Sequence, residues 1–237
     1  MYKLITMFSM LAMLASAQFC AMPIPQMSGV FSPLDLNPLV WYKLDGNLDD
    51  ATTNGYTATP TSITYTTGVN GQSASFNGIS SKIITDVKPS PVLGFTASLW
   101  IFAPDGSSGA RYLVQQWHAA GAGNSSWGIV QTTANILRFA TYSVSSRTHT
   151  TLYTSNHNDG TWHHLVMTYF DSTIKWYFDG SLAGSVVGNS MQESTNYYVI
   201  IGVEGTSYHW LGEIDDVLIF EKALSAEDIK QIYEWRE

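Results

Sequence analysis

The chain has 237 residues and a formal net charge of −8, with 45% hydrophobic, 13% aromatic and only 13% charged positions. Few and dispersed Lys and Arg residues in an acidic chain do not suit a phosphate backbone, so nucleic acid is excluded as an expected partner. A single cysteine, Cys20, excludes an intrachain disulfide, and cohesion has to come from packing, with a metal as the other source.

Met1 to Ala17 carries one basic residue, Lys3, then the apolar run LITMFSMLAML and an Ala15-Ser16-Ala17 end. This is the layout of a secretory signal and implies a secreted or surface-displayed protein. An uncleaved anchor is the competing expectation, since no charge falls between Lys3 and Asp35 and a span needs roughly 20 apolar residues; Gln18, Pro23 and Pro25 interrupt it. Phe19 stands where a lipoprotein signal before Cys20 would want a small residue. Residues 18–38, rich in Met, Pro and Ser, read as a linker or an ordered arm.

From Leu39 to the end of the chain short β-type runs alternate with Gly, Asn, Asp and Ser, the pattern of a two-sheet antiparallel sandwich. Expected strands are 39–44, 73–77, 81–85, 95–103, 111–117, 126–132, 135–142, 147–154, 162–170, 173–179, 182–187, 197–203 and 209–220. No repeat of 20 to 50 residues is visible, which argues against a propeller or solenoid. One helix is expected, beginning at the capping-box-like Ser225-Ala226-Glu227-Asp228, with Ile229, Ile232 and Tyr233 on one apolar face.

The densest stretch is Thr161 to Gly184, TWHHLVMTYFDSTIKWYFDGSLAG. Two aromatic and β-branched runs are joined by Asp171-Ser172-Thr173, and Asp179-Gly180 has the sequence of a tight hairpin turn, since Gly accepts the positive φ it needs. This stretch resembles the central hairpins of the laminin G-like, concanavalin A-like lectin/glucanase jelly-roll domains. Further blocks lie in the same order: Trp41 to Asp50, Ala74 to Gly78, Phe95 to Ile101, Gly212 to Phe220, and Ala223-Leu224-Ser225. The resemblance spans about residues 39 to 237 and implies an all-β jelly roll with a short C-terminal helix. It says little of ligand, because that superfamily contains lectin modules, enzymes and structural proteins.

The clearest chemical constellation is acidic: Asp45, Asn47, Asp49 and Asp50 after the first strand, and Asp215-Asp216 in the last. A jelly roll brings its first and last strands together, so the clusters can meet, and hard oxygens converging there suit Ca²⁺. The resembled domains often carry one calcium at such a place, and the resemblance implies Asp45 and Asp215 as ligands, with Asp50 third. The alternative is that Asp45 and Asp49 shape a turn with Gly46 and Asn47, and Asp215 serves a hydrogen-bond network.

Catalysis is not expected. Laminarinase-like glycosidases carry E-x-D-x-x-E on a strand; Glu213 and Asp215 supply the first two acids, about 7 Å apart by strand rise, but the third position is Leu218. Retaining hydrolysis wants a nucleophile and a separate acid, and no G-x-S-x-G elbow is present. A glycoside hydrolase is therefore a remote reading. His163 and His164 point to opposite faces of a strand and are expected to pack, and His118, His149, His157 and His209 have no zinc spacing.

Glycan binding is the favoured expectation, since sugars stack on flat rings while polar neighbours take their hydroxyls. Two regions qualify: Trp117, His118, Asn124 and Trp127 around a Gly-rich loop, and Tyr208 with Trp210. Trp100, Trp162 and Trp176 read as core. Asn124-Ser125-Ser126 is an N-glycosylation sequon, meaningful only in a eukaryotic secretory pathway. The partner expected is a glycan or glycoprotein surface; the second class is an assembly or coat subunit using the sandwich as a packing block among protein neighbours.

Overall fold

A computed structural model describes residues 31–90, 94–106, 108–117, 125–133, 136–141, 157–187, 191 and 197–236. The expected signal at 1–17, the first part of the arm, the strand at 147–154 and the residues His118 and Asn124 lie outside the described residues. The compact unit that holds the described residues runs Phe31–Glu237. The end of the expected arm is ordered as a 3-10 turn, Pro33–Leu36, whose Ser32 and Asp35 cap one another.

Two antiparallel sheets carry the unit. The larger contains β1 (Val40–Tyr42), β3 (Thr64–Thr67), β4 (Gln72–Asn77), β6 (Phe95–Phe102), β10 (Trp162–Phe170), β11 (Thr173–Phe178), β12 (Ser181–Val187) and β14 (Leu211–Phe220). Its order is β12-β11-β10-β6-β14-β4-β3, with β1 also against β14. The smaller is β2 (Ala58–Thr61), β5 (Lys82–Thr85), β13 (Tyr198–Ile201), β7 (Arg111–Trp117), β8 (Ser125–Gln131) and β9 (Leu137–Thr141), in that spatial order. The jelly-roll sandwich expected from the sequence is the fold observed, and the helix expected near the end of the chain, α1 (Ala226–Glu234), starts at the Ser225 capping box.

Strand alternation fills the space between the sheets. Phe95, Ala97, Leu99 and Ile101 of β6, Leu165 and Met167 of β10 and Trp127 and Ile129 of β8 all face inward, with Trp210 beside them. The other face of the larger sheet is closed by α1, where Ile229 and Ile232 pack on Trp41, Val166, Tyr177, Leu218 and Phe220. Thus α1 uses the i, i+3 stripe read in the sequence.

Strands β2 and β3 were not expected. ATPT and TYTT lack the apolar residues that mark a buried strand, and Pro60 argues against a central one; both are edge strands with mostly exposed side chains. The chain leaves β2 in one sheet and enters β3 in the other, turning at Ser62, which adopts φ 51°. A seam between the sheets results along this edge.

Candidate functional site

The first and last strands do lie side by side. Val40, Trp41 and Tyr42 pair with Ile219, Leu218 and Val217, and further down β14 the neighbour changes to β4, where Ala74 faces Ile214. Asp215 and Asp216 occupy the change-over, in a bulge with Asp216 at φ 46°. The loop Gly68–Gln72 sits against this bulge. Asp215 Oδ2 accepts the amides of Val69 (2.7 Å) and Asn70 (3.3 Å), and its Oδ1 accepts the amide of Asp216 (2.9 Å). Asp216 takes the Trp41 indole N–H at 2.8 Å and the Asn70 side-chain amide at 2.7 Å. From the other side Asp45 Oδ1 accepts the Gln72 amide at 2.6 Å. Gly68 and Gly71 permit this approach, because a Cβ on Gly68 would collide with Asp215 and one on Gly71, at φ +63°, with Asp45.

Asp45 and Asp215 therefore converge on one loop, as expected, while Asp50 does not join them. Both Asp50 oxygens accept from nearby donors: Thr52 N and Oγ1 at 2.9 and 2.8 Å and Tyr56 N at 3.1 Å in its own loop, and Trp41 N of β1 at 3.3 Å. Asp50 thus organises the turn that follows it, an Asx-type role that short carboxylates take readily. Among the described residues no group of three or more His, Cys, Asp or Glu is placed to hold a metal. The pair that remains has the hard-oxygen chemistry calcium prefers. Asp215 is fully buried and makes no ion pair among the described residues; burial, then the charge of Asp216, push its carboxyl up to about 8.

The aromatic expectations divide. Trp127 and Trp210 are both 0% exposed in the core, with no ring face open to a sugar, so both are corrected to packing residues. Trp127 stacks on Phe95 at 4.7 Å between centroids. Trp117, half-buried at the end of β7, and Tyr208, 53% exposed, remain on the surface. Tyr208 lies 6.3 Å from Tyr112 between ring centroids, at the opposite end of β7 from Trp117.

His163 and His164 pack, as expected. His164 is buried, with Nε2 2.8 Å from Ser98 Oγ and its ring 5.0 Å from Trp100. Burial above all, with Arg236 adding to it against Asp179, lowers its pKa to about 3. His163 loses some basicity to burial, but its two ring nitrogens face Asp179 at 2.9 Å and Asp159 at 3.3 Å, and the net shift is upward.

A groove not read from the sequence lies on the seam between the sheets. It has a volume of about 650 Å³ and is lined by Asn47, Asp49, Asp50, Tyr56, Pro60 and Tyr65 among others. That volume falls within the usual range of ligand sites, roughly 300–1,000 Å³. Tyr56 is built in from two sides: Asp50 holds its amide, and Asp86 holds the amide and hydroxyl of Thr57, each at 2.8 Å. Tyr65 stands on β3 opposite Ala74. Both tyrosine rings rest on the core. Their hydroxyls and the exposed Asp49 carboxylate make no hydrogen bond among the described residues. Burial raises both phenols, with Glu221, Asp86 and Asp50 adding to it at Tyr56 and Asp49 at Tyr65. The available signal was two tyrosines flanking Pro60 in a Thr-, Asn- and Gly-rich stretch.

Two planar rings beside a free carboxylate can stack on a sugar and accept its hydroxyls. The Glu213 and Asp215 pair has no such open groove, since Asp215 is fully buried and Leu218, at the third position of the motif, packs under α1.

A family model described as the concanavalin A-like lectin/glucanases superfamily matches residues 76–230. No curated protein sequence matches the chain. Among solved structures, the chain is similar to domain 4 of AbnA, a GH43 extracellular arabinanase from Geobacillus stearothermophilus, in complex with arabinotriose. The TM-score is 0.64 at 20% identity, over 82% of this chain and 97% of that one. It is also similar to the ligand-binding domain of botulinum neurotoxin serotype D in complex with N-acetylneuraminic acid, with a TM-score of 0.67 at 18% identity over 86% of this chain. The binding domain of Paraclostridial Mosquitocidal Protein 1 gives a TM-score of 0.67 at 18% identity over 84% of this chain. This chain spans about half of each toxin domain, 52% in both cases.

Proposed function

The chain belongs to the concanavalin A-like lectin/glucanase superfamily, and on that premise we propose that it is a non-enzymatic carbohydrate-binding module whose site is the groove of Tyr56 and Tyr65. The observation that carries this reading is the pair of rigidly seated tyrosines with unengaged hydroxyls beside the unengaged Asp49 carboxylate. Stacking and hydroxyl recognition are what a sugar asks of a surface. That similar structures hold arabinotriose and N-acetylneuraminic acid supports carbohydrate as the class. Secretion or surface display belongs to the same proposal and is supported by the signal-like Met1 to Ala17 segment. A glycan array probed with the full chain in calcium-containing buffer tests it. Binding that Tyr65→Ala loses while remaining folded is the expected outcome, and a blank array for the folded wild type refutes it.

A structural calcium is part of the proposal, with Asp45 and Asp215 as its carboxylate ligands. Its support is the convergence of both on Gly68–Gln72, where carboxylate oxygens are the hard donors calcium prefers.

One observation favours the second reading, an assembly subunit. Among the described residues strand β12, SLAGSVV, ends the larger sheet with no charge or proline to discourage pairing, and Leu182 and Val187 are exposed at 56% and 73%. A sedimentation run showing a concentration-dependent dimer that Leu182→Lys abolishes would move the account that way.

A further inference from the structure

The charge around the groove says which carbohydrates it can take. Among the described residues its lining carries Asp49 and Asp50 and includes no Lys, Arg or His. Asp86 stands directly behind it, holding Thr57, and Glu221 is close enough for its charge to act on Tyr56. The two acids nearest the aromatic platforms differ in state. Asp50 is saturated by the amides and hydroxyl it organises, whereas Asp49 is exposed and accepts nothing among the described residues. A free carboxylate is an acceptor only. It can receive two hydroxyls of a sugar, and it meets a second carboxylate or a sulfate with an uncompensated like charge.

We infer that the Tyr56 and Tyr65 groove selects neutral glycan chains and rejects sialylated, sulfated or uronic-acid sugars, with Asp49 as the residue that sets the discrimination. The inference rests on the carbohydrate-binding reading and narrows its ligand class. Hydroxyls of a neutral chain satisfy Asp49 and the two phenols while the ring faces lie on the tyrosines. An anionic substituent in the same place faces Asp49 and Asp50 with no cation in the lining to receive it. Like charges about 7 Å apart lower affinity roughly threefold in bulk water and about fiftyfold in the lower dielectric of a protein surface. An open groove between those limits sets the expected penalty at about tenfold. The penalty shrinks with salt, because the Debye length falls from about 30 Å at 0.01 M to about 8 Å at 0.15 M.

The test uses the full chain on an array of neutral glycans printed beside sialylated, sulfated and uronate-bearing counterparts of the same cores, at about 0.01 M and about 0.15 M salt. Wild type, Asp49→Asn and Tyr65→Ala are compared, with circular dichroism confirming that each is folded. Asp49 is exposed with no side-chain partner, so its replacement leaves the fold intact. The expected result is binding confined to neutral members, with anionic counterparts at least about tenfold weaker at low salt. Asp49→Asn should narrow that gap severalfold, and Tyr65→Ala should lose both classes. Anionic glycans bound as well as neutral ones, or a gap indifferent to Asp49→Asn and salt, overturns the selectivity and leaves the carbohydrate reading standing. No glycan bound by folded wild type overturns both.

Discussion

Lowering the pH should destabilise this protein through one buried imidazole, and His164→Gln isolates the effect. His164 sits between Trp100 and Tyr233, at 5.0 and 5.9 Å between centroids, with Nε2 on Ser98 and Nδ1 buried without a partner. Taking a proton there would place a cation in the packed layer under α1, near Arg236, so burial holds its pKa at about 3 against 6.5 in the unfolded chain. The folded value is depressed, so the unfolded state binds the proton first. Stability from this group is intact above pH 6.5 and drains away as pH falls toward about 3. Between pH 7.5 and pH 5 the loss is about 2 kcal/mol, from about 1.4 kcal/mol per unit below the unfolded value. His163 works in the opposite direction, because Asp179 and Asp159 raise it and favour the folded state in acid. It is present in both proteins and cancels in their comparison. Glutamine keeps a polar group for Ser98 and cannot titrate. Urea unfolding at pH 7.5, 6 and 5 should therefore show His164→Gln less stable than wild type at pH 7.5, with the difference shrinking by about 2 kcal/mol at pH 5. A stability difference that is the same at all three pH values refutes the buried-imidazole account.

Chelation should lower the melting temperature of wild type by several degrees and leave Asp45→Ala unmoved in differential scanning fluorimetry; an indifferent wild type removes calcium from the account. Asp45 is the variant of choice because Asp215 also holds three backbone amides, and truncating it would cost stability with or without an ion. Trp210→Ala should lose about 3–5 kcal/mol by urea unfolding, the cost of emptying a core tryptophan site, whereas Trp117→Ala should cost less than half of that; equal costs would contradict the burial described. Gly184→Ala should be destabilising, since a Cβ there runs into the Trp176 indole, and Trp176→Leu should relieve part of that penalty in the double variant. A double variant with additive losses contradicts that contact.

The fold was legible because its hairpins are aromatic and β-branched in alternation and closed by turn residues. The runs 111–117 and 162–170 were read to the residue. The convergence of Asp45 and Asp215 on the loop Gly68–Gln72 was legible for a topological reason, since pairing of the first and last strands places their flanking loops together. The role of Asp50 was not, because acids of identical type five residues apart differ only in what the local backbone offers them. At Asp50 the following turn supplies Thr52 and Tyr56; at Asp45 the nearest donor is on a distant loop. The tryptophans misled for a related reason. Trp117 and Trp127 sit at the ends of one Gly-rich stretch, and the pairing of β7 with β8 sends one into the core and leaves the other at the surface. The groove tyrosines were passed over because Ala51 to Thr67 is too polar to show a strand period, and β2 and β3 take their stability from neighbours in two different sheets.

The measurement that bears most directly on the central claim is a calorimetric titration of the strongest array glycan into wild type, a Tyr56→Ala, Tyr65→Ala double variant and a Trp117→Ala, Tyr208→Ala double variant. The groove account predicts at least about a tenfold loss of affinity, 1.4 kcal/mol or more, for the first variant and wild-type affinity for the second. Retained binding in the folded groove variant, with loss in the second, would contradict it and place the site at Trp117 or Tyr208, at one end of β7 or the other.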